Sequence, residues 1–268
     1  MKRLILFALC ITPLWPAACT LTNTAGSACS TKTCSLTAIA ADSTHTVWTG
    51  SGCTANAFIP GNGNTVVIPD TYTLTVNQNW TIGASGANNT AAAIQTNATG
   101  LVEVASGATL RARGDVLSNN TVNGATNFLV LDAGSTFIFD ASQASSPTTT
   151  RYRIGDAPGQ SFRAFSANGT SGSHVTVTSD LTNGALPGQF RFANVGAAQT
   201  YYGGNIFNAV YTDFSHIGDA SAFGEAFLWG GYGCGGGCTY SSFIYRMQHN
   251  TFNYVGPNKN ASDRKSVV

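Results

Sequence analysis

The stretch "DFSHIGD", residues 213 to 219, places two carboxylates and an imidazole within seven residues. Asp213, His216 and Asp219 are therefore the candidate catalytic groups, with Glu225 a short way on. Paired carboxylates do acid–base work on glycosidic bonds, and an imidazole titrates near neutral pH. If Phe214 points into a core, strand alternation turns Asp213 and Ser215 to the opposite face, where a substrate could lie. The competing reading makes these residues turn and ladder positions, a common use of Asp.

The segment "FLWGGYGCGGGCTY" (227–240) suggests binding rather than catalysis. Trp229, Tyr232 and Tyr240 would form an exposed platform for sugar rings, or else fold back and cover apolar surface. Gly231, Gly233 and Gly236 satisfy a bare G-x-G-x-x-G. No helix follows and no βαβ unit surrounds it, so dinucleotide binding is excluded. His45 and His174 lie near strand starts without a partner pattern and read as structural. No Ser-His-Asp order, HExxH or P-loop occurs, and no cofactor is expected.

Two close cysteine pairs stand out, "CSTKTC" and "CGGGC". Their spacing is not that of a zinc ribbon and no histidine lies near either pair, so no metal is expected there. Disulfides Cys29–Cys34 and Cys234–Cys238 are expected instead. Cys53 then pairs with Cys19, or is free if Cys19 is acylated. The first residues, "MKRLILFALCITPLWPAAC", combine Lys2 and Arg3 with an apolar run and a small-residue end, the pattern of a signal peptide. The run is too short for a transmembrane helix, which needs about 20 residues. Ala17-Ala18-Cys19 resembles the end of a bacterial lipobox, although Pro16 stands where that pattern wants Leu. The chain is thus read as exported, extracellular or at the cell surface, with an outer-membrane lipoprotein as one form. Export favours oxidised cysteines.

Any such site must be carried by a chain in which only 9% of residues are charged, against about 25% in most domains. Hydrophobic residues make up 43%, so a sizeable core is available and disorder is excluded. A net charge of +1 with no basic stripe argues against a nucleic-acid partner.

The elements are short, β-branched or aromatic, and bounded by Gly, Asn, Asp or Ser, so the fold class is all-β. Only "SAFGEAFLW" (221–229) could make a helical turn or two. The segments "TVVIPDTYTLTV" (65–76), "LVEVASGATLRA" (101–112) and "FLVLDAGSTFIF" (128–139) repeat one another. Leu74, Leu110 and Phe137 fall in register, as do Thr73, Thr109 and Thr136. Downstream, "YTDFSHIGDA" (211–220) repeats as "HNTFNYVGPN" (249–258), with Phe214 matching Phe252 and Gly218 matching Gly256. Between the two sets lie strand candidates 173–180 and 188–195. Unequal spacing excludes helical repeats of fixed length and suits strands joined by loops of variable length. In a parallel β-helix, equivalent residues of successive coils stack. Phe252 would then point inward, and Asn250 and Asn253 would sit at bends.

"HNTFNYVG" and "YTDFSHIG" resemble rungs of the right-handed parallel β-helix superfamily typified by pectate lyases. "PGNGNTVVIPDTYTLTV" with "LVEVASGATLRARG" resembles the eight-glycine extracellular domain, a short β-helical module. Together these resemblances cover about residues 45 to 256. With the leader and the Ser/Thr-rich stretch read from composition, the expected layout is a signal peptide at 1–18, a Ser/Thr-rich linker at 19–44, an N-terminal β-helical or capping region at 45–155 and first rungs at 156–262. The last six residues, "DRKSVV" (263–268), read as a sequencing-artefact tail, so the fold is expected to be C-terminally truncated. A calcium site would belong to rungs downstream of the present sequence. The functional expectation is a non-catalytic, adhesin-like binder or scaffold of extracellular polysaccharide or cell-surface glycan. The alternative is the N-terminal part of a secreted polysaccharide lyase or glycoside hydrolase.

Overall fold

A computed structural model of the protein describes residues 18–53, 65–82, 92–97, 100–119, 124–141, 152–156, 163–180, 188–192, 200–201, 206–218, 226–229, 239–240 and 244–255. The signal peptide up to residue 17, the Cys234–Cys238 pair, Gly256 and the tail at 263–268 lie outside the described residues.

The chain enters on β1 (Ala18–Leu21) and β2 (Thr33–Ser35), followed by α1 (Leu36–Ala41) and β3 (Trp48–Thr49). Next come β4 (Thr65–Ile68), β5 (Thr73–Val76), β6 (Trp80–Ile82) and β7 (Ala92–Asn97). The central coils use β8 (Leu101–Val104), β9 (Thr109–Ala112), β10 (Asp115–Asn119), β11 (Gly124–Asp132), β12 (Thr136–Phe139) and β13 (Tyr152–Asp156). Then follow β14 (Arg163–Asn168), β15 (Val175–Ser179), β16 (Gly188–Phe192), β17 (Thr200–Tyr201) and β18 (Ile206–Val210). The last are β19 (Thr212–Ile217), β20 (Phe227–Trp229), β21 (Thr239–Tyr240), β22 (Ile244–Gln248) and β23 (Thr251–Val255).

These strands stack into three large sheets. Sheet A has the order β22-β18-β14-β11-β8-β4-β1-β3, sheet B β2-β5-β9-β12-β15-β19-β23, and sheet C β20-β16-β13-β10-β7-β6. Each central coil contributes one strand to A, then B, then C. Every pairing in the three sheets is parallel except β1 with β3. Parallel neighbours need a long crossover, and here the crossover is the rest of the coil. The fold is all-β and β-helix-like.

Alternation explains why these sequences form these strands. In β5, β8, β9 and β12 every second residue is buried, as a sheet with one face inward requires. Sheet B carries one inner column through all seven strands: Cys34, Leu74, Leu110, Phe137, Val177, Phe214 and Phe252. The two repeat families seen in the sequence are thus one column, joined by Val177. Phe214 is fully buried, whereas Phe252 on the last described strand is only partly so. Phenylalanines stack between coils in each sheet: Phe165 on Phe207 at 5.0 Å, Phe190 on Phe227 at 5.2 Å, and Phe214 on Phe252 at 5.3 Å.

Four expectations change. The linker expected at 19–44 is instead the first coil, since β1 pairs with β4 and β2 with β5. Its Ser and Thr residues are strand, turn and cap positions. Ser35 caps α1 by accepting a hydrogen bond from the Ala38 N–H at 3.3 Å, and Leu36 and Ile39 of α1 are buried. Helix therefore forms here, whereas Phe227–Trp229 of the segment expected to turn helical is strand. The boundary expected at 155/156 falls inside β13, and β11, β12 and β13 pair directly with β14, β15 and β16. Asn250 does sit at a bend, accepting from the Thr212 N–H at 2.9 Å and donating to the Ala209 carbonyl at 3.0 Å, both on the preceding coil. Asn253 is instead an exposed strand residue opposite Ser215.

Candidate functional site

Polar chemistry gathers along the two edges of sheet B. The first edge is the turn from sheet A into sheet B. In six coils this turn holds one residue in the left-handed backbone region: Lys32, Thr71, Gly107, Gly134, Tyr211 and His249. Glycine is free there. Its absent Cβ also matters, because a Cβ on Gly107 would collide with the Asp70 carboxylate of the coil before. A non-glycine residue in this conformation costs about 1–2 kcal/mol. Tyr211 and His249 bear that cost in successive coils, and their rings stack at 4.5 Å with 12° between planes. His174, one coil earlier, lies 5.6 Å from the Tyr211 ring. Its Nδ1 shares a 3.0 Å hydrogen bond with Asp213 Oδ1. The result is a ribbon of three rings with a carboxylate beside it, open to solvent: the side chains of His174 and Asp213 are 34% and 42% exposed.

Chemically this edge offers aromatic faces and one carboxylate–imidazole pair. A carboxylate on Nδ1 fixes the imidazole tautomer and leaves Nε2 as the free acceptor. No serine or cysteine side chain bonds to His174 among the described residues, so a nucleophilic triad is not assembled. Aromatic faces with a nearby carboxylate supply apolar contact and directional hydrogen bonds together.

The second edge is the turn from sheet B into sheet C. Arg111 Nε contacts Asp140 Oδ2 at 3.3 Å and Arg111 Nη2 contacts Asp180 Oδ2 at 3.0 Å. Arg113 Nε reaches Asp140 at 3.0 Å, and Arg153 Nε reaches Asp115 Oδ2 at 2.7 Å. Asp140 is buried, its side chain 1% exposed. Burial and a hydrogen bond with Asp140 push the Asp180 carboxyl up from its ordinary value. Burial also raises the Tyr152 hydroxyl, helped by the charge of Asp140. Glycoside hydrolysis needs carboxyl groups separated by roughly 5–5.5 Å or 6.5–9.5 Å. Here both carboxyls are engaged by arginines, Asp140 by Arg111 and Arg113 and Asp180 by Arg111, as members of an ion-pair network.

Between the edges, the outer face of sheet B carries a column of hydroxyls: Thr33, Thr73, Thr109, Thr136, Thr176, then Asp213 and Thr251. Its charged members are drawn sideways, Arg111 toward Asp140 and Asp180, Asp213 toward His174.

Of the residues expected to act, Asp213 does face outward, but its partner is His174 and not His216. His216 sits in a left-handed irregularity of β19, after which both it and Ser215 are half-buried. Asp219, Glu225 and Tyr232 lie outside the described residues. Trp229 ends β20 opposite Phe192, and Tyr240 on β21 pairs with Tyr201 on β17. The side chains of Trp229 and Tyr240 also lie outside what is described. Sequence reasoning passed over His174 as structural because its partner stands 39 residues away on the next coil. The register of "HVT" (174–176) with "YTD" (211–213) at the starts of β15 and β19 was the available signal.

Two disulfides close the first coil, Cys29–Cys34 as expected and Cys19–Cys53. A Cys19 sulfur in that bond is not available for acylation. Among the described residues no group of three or more His, Cys, Asp or Glu could hold a metal ion, and no helix is long and apolar enough to cross a membrane. No family model, curated protein or solved structure matches the chain.

Proposed function

We propose that the protein is an exported, surface-associated scaffold that binds extracellular polysaccharide without cleaving it. The observation that carries this reading is the Tyr211–His249 pair. Two earlier coils place Gly107 and Gly134 at the equivalent turn position, where no ring is offered and no strain arises, and a third places Thr71 there, left-handed but without a ring. Tyr and His there cost backbone energy and return an aromatic ribbon beside Asp213. Strain retained at a half-buried Tyr211 and an exposed His249, whose rings stack on each other, favours a binding role over a packing one. The closed first coil, the disulfides and the low charge fit an extracellular setting.

The test uses Tyr211→Gly and His249→Gly, with binding to a panel of soluble polysaccharides measured by calorimetry. Affinity is expected to fall about 2- to 10-fold per ring removed. The unfolding midpoint should hold or rise, because glycine relieves the turn. A protein that binds no glycan of the panel, or variants that bind unchanged, would overturn the reading.

The His174–Asp213 dyad favours one alternative, a lyase or hydrolase in which His174 acts as base. Release of reducing ends or unsaturated products by the protein, lost in His174→Ala, would replace the scaffold reading.

A further inference from the structure

We infer that the glycan track continues beyond the rings along the edge of sheet B, and that it selects an extended, uncharged polysaccharide lying parallel to the coil axis, one sugar unit to a coil. The inference rests on the glycan-binding reading above and names the class of glycan bound. In six successive coils an edge residue is followed two positions later by an outward residue of sheet B. The pairs are Thr71 and Thr73, Gly107 and Thr109, Gly134 and Thr136, His174 and Thr176, Tyr211 and Asp213, His249 and Thr251. The outward members pair in register from coil to coil: Thr73 with Thr109, Thr109 with Thr136, Thr136 with Thr176, Thr176 with Asp213, and Asp213 with Thr251. Each coil advances the column by about 4.8 Å. A pyranose unit in an extended chain advances by a comparable length, so a polysaccharide laid along the axis repeats with the coils.

Five of the six outward positions carry threonine. Among the described residues no hydrogen bond engages these five hydroxyls, whereas Thr178 in the adjoining column accepts from Ser215 at 2.9 Å. Thr251 is exposed and the other four are half-buried. A hydroxyl donates one hydrogen bond and accepts others, and so does each hydroxyl of a sugar. The charges decide the class of sugar. The carboxylates at this edge are Asp70, whose oxygen lies where a Cβ of Gly107 would be, Asp132 at the end of β11, and Asp213. The cations nearby are turned away or lie outside the span. Arg111 points to Asp140 and Asp180, Lys32 stands one coil earlier and donates to Thr71, and Arg246 on sheet A donates to Gln248. An acidic polysaccharide on this column meets like charge, which is costly at an interface. A neutral one meets hydroxyls and acceptors.

The experiment measures binding of the full chain by calorimetry to neutral polymers (soluble glucan, xylan, mannan and galactan) and to acidic ones (polygalacturonate, alginate and hyaluronan). Oligosaccharides of increasing length, cut from the tightest binder, follow. A neutral polymer is expected to bind about 10-fold tighter than any acidic one. Affinity should climb with each added unit up to about six, one for each coil of the column, and then level. Thr109→Val and Thr136→Val keep a β-branched strand residue and lie in coils that offer no ring. Each should weaken binding about 2- to 10-fold at an unchanged melting temperature. An acidic polymer as the tightest binder overturns the inference and leaves the scaffold reading standing. So do threonine variants that bind like the native chain while Tyr211→Gly weakens binding. Binding to none of the polymers removes both. Should neither threonine variant fold, the comparison of neutral with acidic polymers on the native chain decides.

Discussion

Asp42 shows how much one surface carboxylate can organise. It accepts from the backbone N–H groups of Ala28, Thr44 and His45, from the Thr44 hydroxyl and from the His45 ring. The His45 bond, then the Ala28 bond, hold its carboxyl well below the usual range. A carboxyl depressed in the folded state contributes stability that is present above its unfolded value, about pH 4, and is lost as pH falls below it. Asp42→Asn should therefore melt earlier than the native chain at pH 7, and the gap should narrow under pH 4; equal melting at both pH values would contradict this. Phe214 is the matching case in the core. It stacks on Phe252 and meets Phe190 and Phe227 edge-on at 5.7 and 5.2 Å. Phe214→Ala should cost about 3–5 kcal/mol, measurable by urea unfolding, and a cost under 1 kcal/mol would remove it from the core. Residues such as Phe214 were legible because alternation is local. The pairs His174–Asp213 and Arg111–Asp180 were not, because their members are 39 and 69 residues apart and meet only once the coils stack.

At the level of elements, register was the most readable property. Thr73, Thr109 and Thr136 were aligned from sequence and pair directly, since a shift of one residue would turn Leu74, Leu110 and Phe137 to solvent. The first coil was the least readable. β2 and β3 have three and two residues, too short to show alternation, and α1 has only six. What holds this coil is covalent. Cys19–Cys53 spans 34 residues and Cys29–Cys34 spans 5. Chain-entropy arithmetic puts the longer closure at about 3–4 kcal/mol and the shorter at about 2 kcal/mol. Cys19→Ser with Cys53→Ser should thus lower the melting temperature more than Cys29→Ser with Cys34→Ser, and the reverse order in calorimetry would show that the small loop is the principal tie.

For the whole molecule, sheets A and B run from the first described coil to the last without a seam, which two resemblances to separate modules did not anticipate. Strand pairing joins each coil only to the one before and the one after, with Arg111 reaching a second coil on at Asp180, so stability accumulates chiefly from neighbour to neighbour. The first coil differs from the rest because its disulfides, its helix and the antiparallel β1–β3 pair are all internal to residues 18–53. That difference gives the structure an order in time. A chain delivered amino end first presents this segment before the coils that follow it, and the segment can close on itself before its successor has arrived. Its exposed strand edges then receive β4 and β5, which receive β8 and β9 in turn. The molecule is in this sense wound from a seed, and a lesion in the seed should delay everything that is laid upon it.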